Sequence, residues 1–118
     1  IYNLMNSGDI LIFTTLSGAG VDIQALWENH NSVSPPHHLN FFNPSSIKIL
    51  LNKVGFKVLE VTTPGKLDLD ILLNNQDLIK DNFWKTFIKQ STEQDRDKWQ
   101  SFISSSGHSS HMMICCQK

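Results

Sequence analysis

The chain has 118 residues, 10 Lys+Arg against 11 Asp+Glu for a formal net charge of −1, and is 40% hydrophobic and 18% charged. Those proportions fit one small folded domain spanning 1–118 and argue against disorder, and no basic excess exists to neutralise nucleic-acid phosphates. The longest apolar runs, such as 10–13 and 112–116, fall far short of the roughly 20 residues that span a bilayer, so neither nucleic acid nor membrane is an expected partner.

The opening Ile1-Tyr2-Asn3-Leu4-Met5-Asn6 has no charged leader, and Ile1, Leu4 and Met5 sit at helical spacing, so it reads as the last turn of a helix in a chain entered partway through. Gly8-Asp9 signals a turn, and Ile10-Leu11-Ile12-Phe13-Thr14-Thr15 follows as a strand. Its near-continuous apolar character predicts burial on both faces in a parallel sheet. From Leu16 to Asn43 periodicity fails, apart from a short helix around Val21 to Trp27, and the aromatic content of this long connection favours an ordered, functional loop.

Asn43-Pro44 supplies a helix cap and a first-turn proline, Ile47, Leu50, Leu51 and Val54 recur at helical spacing, and Gly55 stops the pattern. A Val- and Thr-rich strand over 56–63 follows at once and ends at Pro64-Gly65. In the stretch after it, Leu67, Leu69 and Ile71 face the core if the chain is extended, which places Asp68 and Asp70 together on a solvated side. Two helices are predicted at 77–89 and 93–103, with Ser91 and Gln94 as a capping box and Trp84, Phe87, Trp99 and Phe102 as core. A Ser/Gly/His linker leads to a short apolar strand at 112–116. It carries the only cysteines, Cys115 and Cys116, which are adjacent and read as reduced and buried, as in a cytoplasmic protein.

Three stretches now resemble the C-terminal half of a class I S-adenosylmethionine-dependent methyltransferase of the Rossmann-like type 11/12/23 kind. Ser7-Gly8-Asp9-Ile10-Leu11-Ile12-Phe13-Thr14-Thr15 resembles the "pGGxLxxxT" run that opens that family's fifth strand, with Asp9 in place of the second Gly. Pro36-His37-His38-Leu39-Asn40-Phe41-Phe42-Asn43-Pro44-Ser45-Ser46, followed by Leu50-Leu51-Asn52-Lys53-Val54-Gly55-Phe56, is similar to the "HLxxFsxxSLxxLLxxxGF" run leading into the sixth. Thr63-Pro64-Gly65-Lys66-Leu67-Asp68-Leu69-Asp70-Ile71-Leu72 looks like a subgroup signature before a helical insertion, and Ser110-His111-Met112 opens the seventh.

The resemblance implies an α/β fold, a partial Rossmann-like sheet of about three strands. The last strand would be central, the sixth and seventh antiparallel, and a two-helix insertion would occupy about 67–106. It implies a transferase whose cofactor is S-adenosylmethionine. The family's cofactor site needs a Gly-rich loop after the first strand and an acidic residue ending the second, and neither is present. Gly18-Ala19-Gly20 is the only Gly-x-Gly and follows the wrong strand. The expectation is therefore the substrate-side part of a methyltransferase, inactive alone; the alternative is a non-catalytic interaction or assembly module that reuses the fold.

In the resembled family the 16–43 connection covers the acceptor, a small molecule or glycan. Trp27, His38 and Asn40 are thus the candidate substrate-binding residues, and His38 and His37 the candidate catalytic ones, since imidazole exchanges protons near neutral pH. His30, His37, His38, His108 and His111 show no ligand spacing, so no metal is expected. Without its neighbouring strand, Ile10 to Thr15 would present a bare edge, predicting pairing with the missing N-terminal half or with another copy.

Overall fold

A computed structural model describes residues 1–118. Three strands, β1 (Ile10–Leu16), β2 (Lys57–Thr62) and β3 (His111–Gln117), form one sheet in the order β1-β3-β2. β3 lies in the middle and is antiparallel to both neighbours, pairing Ile10 with Gln117 and Leu16 with His111 on one side and Thr62 with Met113 on the other. β1 and β2 therefore run in the same direction without touching, and both deliver their carboxyl ends to the place where β3 begins.

Five helices complete the chain: α1 (Val21–Leu26), α2 (Pro44–Val54), α3 (Asp68–Asn74), α4 (Asn82–Gln90) and α5 (Glu93–Ser105). Asn43 starts α2 by accepting from the Ser45 and Ser46 amides at 3.0 and 2.9 Å, while Ser46 Oγ accepts from the Asn43 amide at 2.9 Å. Gly55, at φ 109°, ends it with its N–H on the Leu51 and Asn52 carbonyls. The capping box of α5 is Thr92 with Asp95, one residue along from the expected Ser91 and Gln94. The Thr92 hydroxyl and amide hold the Asp95 carboxyl below its ordinary range.

Two apolar clusters hold these elements. Ile47 and Leu51 of α2 press with Phe56 onto Met112, Ile114 and Cys116 of β3. Leu26, Leu69, Leu72, Ile79, Ile88 and Ile103 join α1, α3, α4 and α5 at the carboxyl ends of the outer strands. Fully burying one such side chain stabilises by roughly 1.5–3 kcal/mol, and the α2 stripe does this with Ile47 and Leu51 alone, since Leu50 and Val54 are exposed.

Several expectations are corrected. β1 is not covered on both faces and has no parallel neighbour: its one partner is antiparallel, Leu11 and Phe13 pack inward, and Ile10 and Ile12 are exposed because the helices of the first cluster lie on one side only. The first residues form a 3-10 turn, Tyr2–Leu4, with Ile1 and Leu4 in solvent while Tyr2 packs edge-on over Phe56 at 4.9 Å. The 67–71 stretch is the start of helix α3 rather than extended chain, so the segment between β2 and β3 carries three helices, not two. The inward residues are Leu69 and Leu72 with Asp68, while Leu67 and Asp70 are exposed. Of the expected aromatic core, Trp84 and Phe87 are half-buried, but Trp99 and Phe102 join Phe83 in an exposed row.

Candidate functional site

The site is built where β1 and β2 end. The Ser17 amide donates to the Ser110 carbonyl at 2.7 Å, and the Gly18 amide to the Phe42 carbonyl at 2.8 Å, which turns the chain sharply out of β1. A Cβ on Gly20 would overlap Ser110, and one on Gly65 would overlap Ser109. Ser109-Ser110 is thus clamped between the chain leaving β1 and the chain leaving β2.

Two buried carboxylates fix that clamp. Asp22 Oδ2 accepts from His30 Nε2 and from Ser110 Oγ, both at 3.0 Å. Asp68 accepts from Ser109 Oγ, Gln100 Nε2 and the Ser110 amide, each at 2.7 Å. His30 Nδ1 accepts from the Ser32 amide at 3.0 Å, so these partners assign the proton to Nε2. The chain order of this network is serine, aspartate, histidine: the carboxylate stands between hydroxyl and imidazole. His30 therefore has no path to the Ser110 proton, and the cluster does not have the geometry of a hydrolytic triad. It satisfies buried polar groups and ties three segments together.

Beside it lies a cleft of about 410 Å³ lined by Gly18, Ala19, Gln24, Trp27, Phe41 and Asn43. Gly18 allows Phe41 to close one wall, since a Cβ there would stand 2.9 Å from Phe41 Cβ. Trp27 forms the other, in the backbone conformation φ 42°, ψ −111° that side-chain-bearing residues rarely adopt. Such a geometry costs roughly 1–3 kcal/mol and concentrates at functional positions. Its amide donates to the Ile23 carbonyl and its carbonyl accepts from the His30 amide, which holds the turn. A second cleft of about 350 Å³ opens at the start of β3 between Lys66, Asp68 and His111.

Of the sequence candidates, Trp27 lines the first cleft. His38 does not, but its ring centroid lies 6.3 Å from that of Phe41. His37 and Asn40 are exposed on the same loop, and neither they nor His38 makes a side-chain hydrogen bond within the chain. No three His, Cys, Asp or Glu side chains converge as a metal would require. Sequence reasoning missed Gln24 and Asn43 as lining residues. It also missed the pairing of Asp22 and Asp68 with Ser110, whose signal is spatial and leaves no trace in local spacing.

The glycines do not fit a cofactor cradle. The spaces a Gly-rich loop leaves for a nucleotide are filled here, at Gly18 by Phe41 and at Gly20 by Ser110, so these residues offer S-adenosylmethionine no backbone approach. No helix is long and apolar enough to cross a membrane. Comparison with protein-family models, with curated proteins and with solved structures finds no match to this chain.

Proposed function

We propose that this chain is the acceptor-side part of a cytoplasmic S-adenosylmethionine-dependent methyltransferase domain, inactive by itself because no residue pattern for holding the cofactor lies within it. The observation that carries this reading is the sheet. Two strands run the same way with the last strand inserted antiparallel between them, and the long loop after the first builds a cleft at their carboxyl ends. Ligands of open α/β sheets bind at that end, and about 410 Å³ lies within the range of small-molecule sites.

Methyl transfer is largely a matter of holding two reactants in line. In this reading Trp27 and Phe41 hold the acceptor, a small molecule or a glycan, and His38, whose ring lies 6.3 Å from that of Phe41 but outside the cleft lining, would have to turn toward the acceptor to take a proton from it. The cofactor is held by residues outside this chain, and the unpaired side of β1 is where the remainder of the domain, or a second copy, would join.

A second reading, a non-catalytic assembly module, is favoured by one specific observation: Ile10 and Ile12 of β1 and Phe83 and Phe102 of the helical segment are all large, apolar and exposed. Calorimetric titration of S-adenosylmethionine and S-adenosylhomocysteine separates the two readings. The expected result is binding by the longest natural chain that contains this sequence and none by the 118 residues alone. If both chains are folded and neither binds, the methyltransferase reading falls and the assembly module stands.

A further inference from the structure

The cleft between Trp27 and Phe41 carries a more specific chemistry. We infer that it binds an uncharged ligand with a planar ring, gripped between these two aromatic side chains and oriented by one hydrogen bond to Gln24 and one from Asn43. The inference rests on the proposed function only in treating that ligand as the methyl acceptor; the binding itself is independent of it.

None of the six lining side chains ionises. A charged ligand group would meet no opposite charge there, which gives an ion no advantage over a neutral ring. Glu28, which follows Trp27 in the chain, lies outside the lining and is paired to Lys80 at the surface.

The polar atoms that remain are defined by what their amide groups already do. Gln24 Nε2 donates to the Gly18 carbonyl, which leaves Oε1 as an acceptor. Asn43 Oδ1 accepts from the Ser45 and Ser46 amides, which leaves Nδ2 as a donor. The cleft therefore presents an amide acceptor and amide donors, since Gln24 Nε2 keeps a second N–H, beside two aromatic rings, a pattern that matches a hydroxyl-bearing or amide-bearing aromatic ring. Trp27 is 54% exposed although it is the largest lining residue, and its backbone is held in the left-handed region, so the protein keeps this indole at the opening rather than folding it into the core.

Phenol at pH 7 is the probe, with benzoate as the charged ring and cyclohexanol as the non-aromatic hydroxyl. The three tryptophan indole N–H resonances and the backbone amides of Gly18 and Ala19 are followed by two-dimensional nuclear magnetic resonance, with Trp27 assigned by its loss in Trp27→Phe and affinities of the Trp27 variants read from the two backbone amides. Phenol is expected to shift the Trp27 resonance saturably and leave Trp84 and Trp99 in place. Its affinity should exceed that for benzoate and cyclohexanol at least fivefold, Trp27→Ala should weaken it at least fivefold, and Trp27→Phe should retain it. Gly18→Ala, which displaces Phe41, should weaken it as well. An unsaturable shift overturns the inference, as does a smaller preference over either comparison compound or a Trp27→Ala chain that keeps its dispersed spectrum and binds phenol normally. No methyl donor is present, so failure here leaves the methyltransferase reading to the cofactor titration, and failure there leaves this site standing.

Discussion

Asp68 and Asp70 are two positions apart, yet their surroundings give them opposite weights. Asp68 is buried and accepts three hydrogen bonds, from Ser109, Ser110 and Gln100, whereas Asp70 is exposed. Asp68→Ala strands two buried donors, the Ser109 hydroxyl and the Ser110 amide, while Gln100 keeps its bond to the Gly65 carbonyl, and is expected to cost about 3 kcal/mol, while Asp70→Ala should stay within about 0.5 kcal/mol. Urea unfolding midpoints of the two variants check this, and equal midpoints would show the clamp to be energetically empty. The two cysteines divide similarly. Burial pushes the Cys116 thiol above its ordinary range, and it sits in the core against Ile114, whereas Cys115 is half-buried on the opposite face of β3. Iodoacetamide near neutral pH, where the thiolate is the reacting species, is expected to label Cys115 in the folded chain and Cys116 only after unfolding; mass spectrometry of the labelled peptides decides it. At this scale the sequence disclosed Trp27 as a candidate wall but not the pairing of Asp22 with Ser110, because that bond joins residues 88 positions apart, and hydrophobic periodicity carries no such information.

The elements that were legible are those whose ends are chemically marked. α2 is bounded by Asn43-Pro44 and Gly55, and the structure places it at Pro44–Val54 with both caps formed. Asn43→Ala removes the acceptor for two amides and is expected to destabilise by about 1 kcal/mol, read from the thermal unfolding midpoint; an unchanged midpoint would mean that Pro44 and the packing of Ile47 and Leu51 set the helix start alone. α3 was illegible for a physical reason. Over the five residues Leu67 to Ile71 an alternating pattern and a helical one coincide, and what selects the helix lies elsewhere in the chain. Leu69 donates to Gln100 of α5 at 3.0 Å, and Asp68 reaches β3's first turn through Ser109 and Ser110. The same holds for the aromatic row of α4 and α5: helical spacing marked Trp84, Phe87, Trp99 and Phe102 as core, and the rings do meet, with Trp99 4.9 Å from Phe87, but Trp99 and Phe102 are exposed. Spacing cannot say whether another layer covers them, and none of this chain's other elements does.

The whole molecule is thin, 52 × 31 × 17 Å in Cα extent, because one layer of helix packs on the sheet and the other side is bare. Directly paired residues of an antiparallel sheet share a face, so Ile12 with Cys115 and Thr14 with Met113 form part of the bare one. The edge of β1 is equally open. Asp9 and Ser17 bond to Lys118 and Ser110 across the sheet, so the odd-numbered residues turn their backbone groups to β3, and those of Ile10, Ile12 and Thr14 turn outward without a partner in the chain, while Phe42 bridges the end of the strand at Ser17. Nothing blunts this edge: β1 contains no charge, no proline and no bulge, the devices by which exposed edge strands usually avoid pairing. A second copy aligned antiparallel along the same strand would satisfy those groups and continue the bare face across both copies. Sedimentation of the isolated chain is therefore expected to show a species larger than 13.4 kDa, with association falling at lower concentration. Ile12→Lys puts a charge on the exposed face without touching Leu11 or Phe13, and should return the chain to the monomer with its fold unchanged by circular dichroism. A wild-type chain that sediments as a monomer at high concentration would mean that β1 is stably solvated and that its open side is not a joining surface.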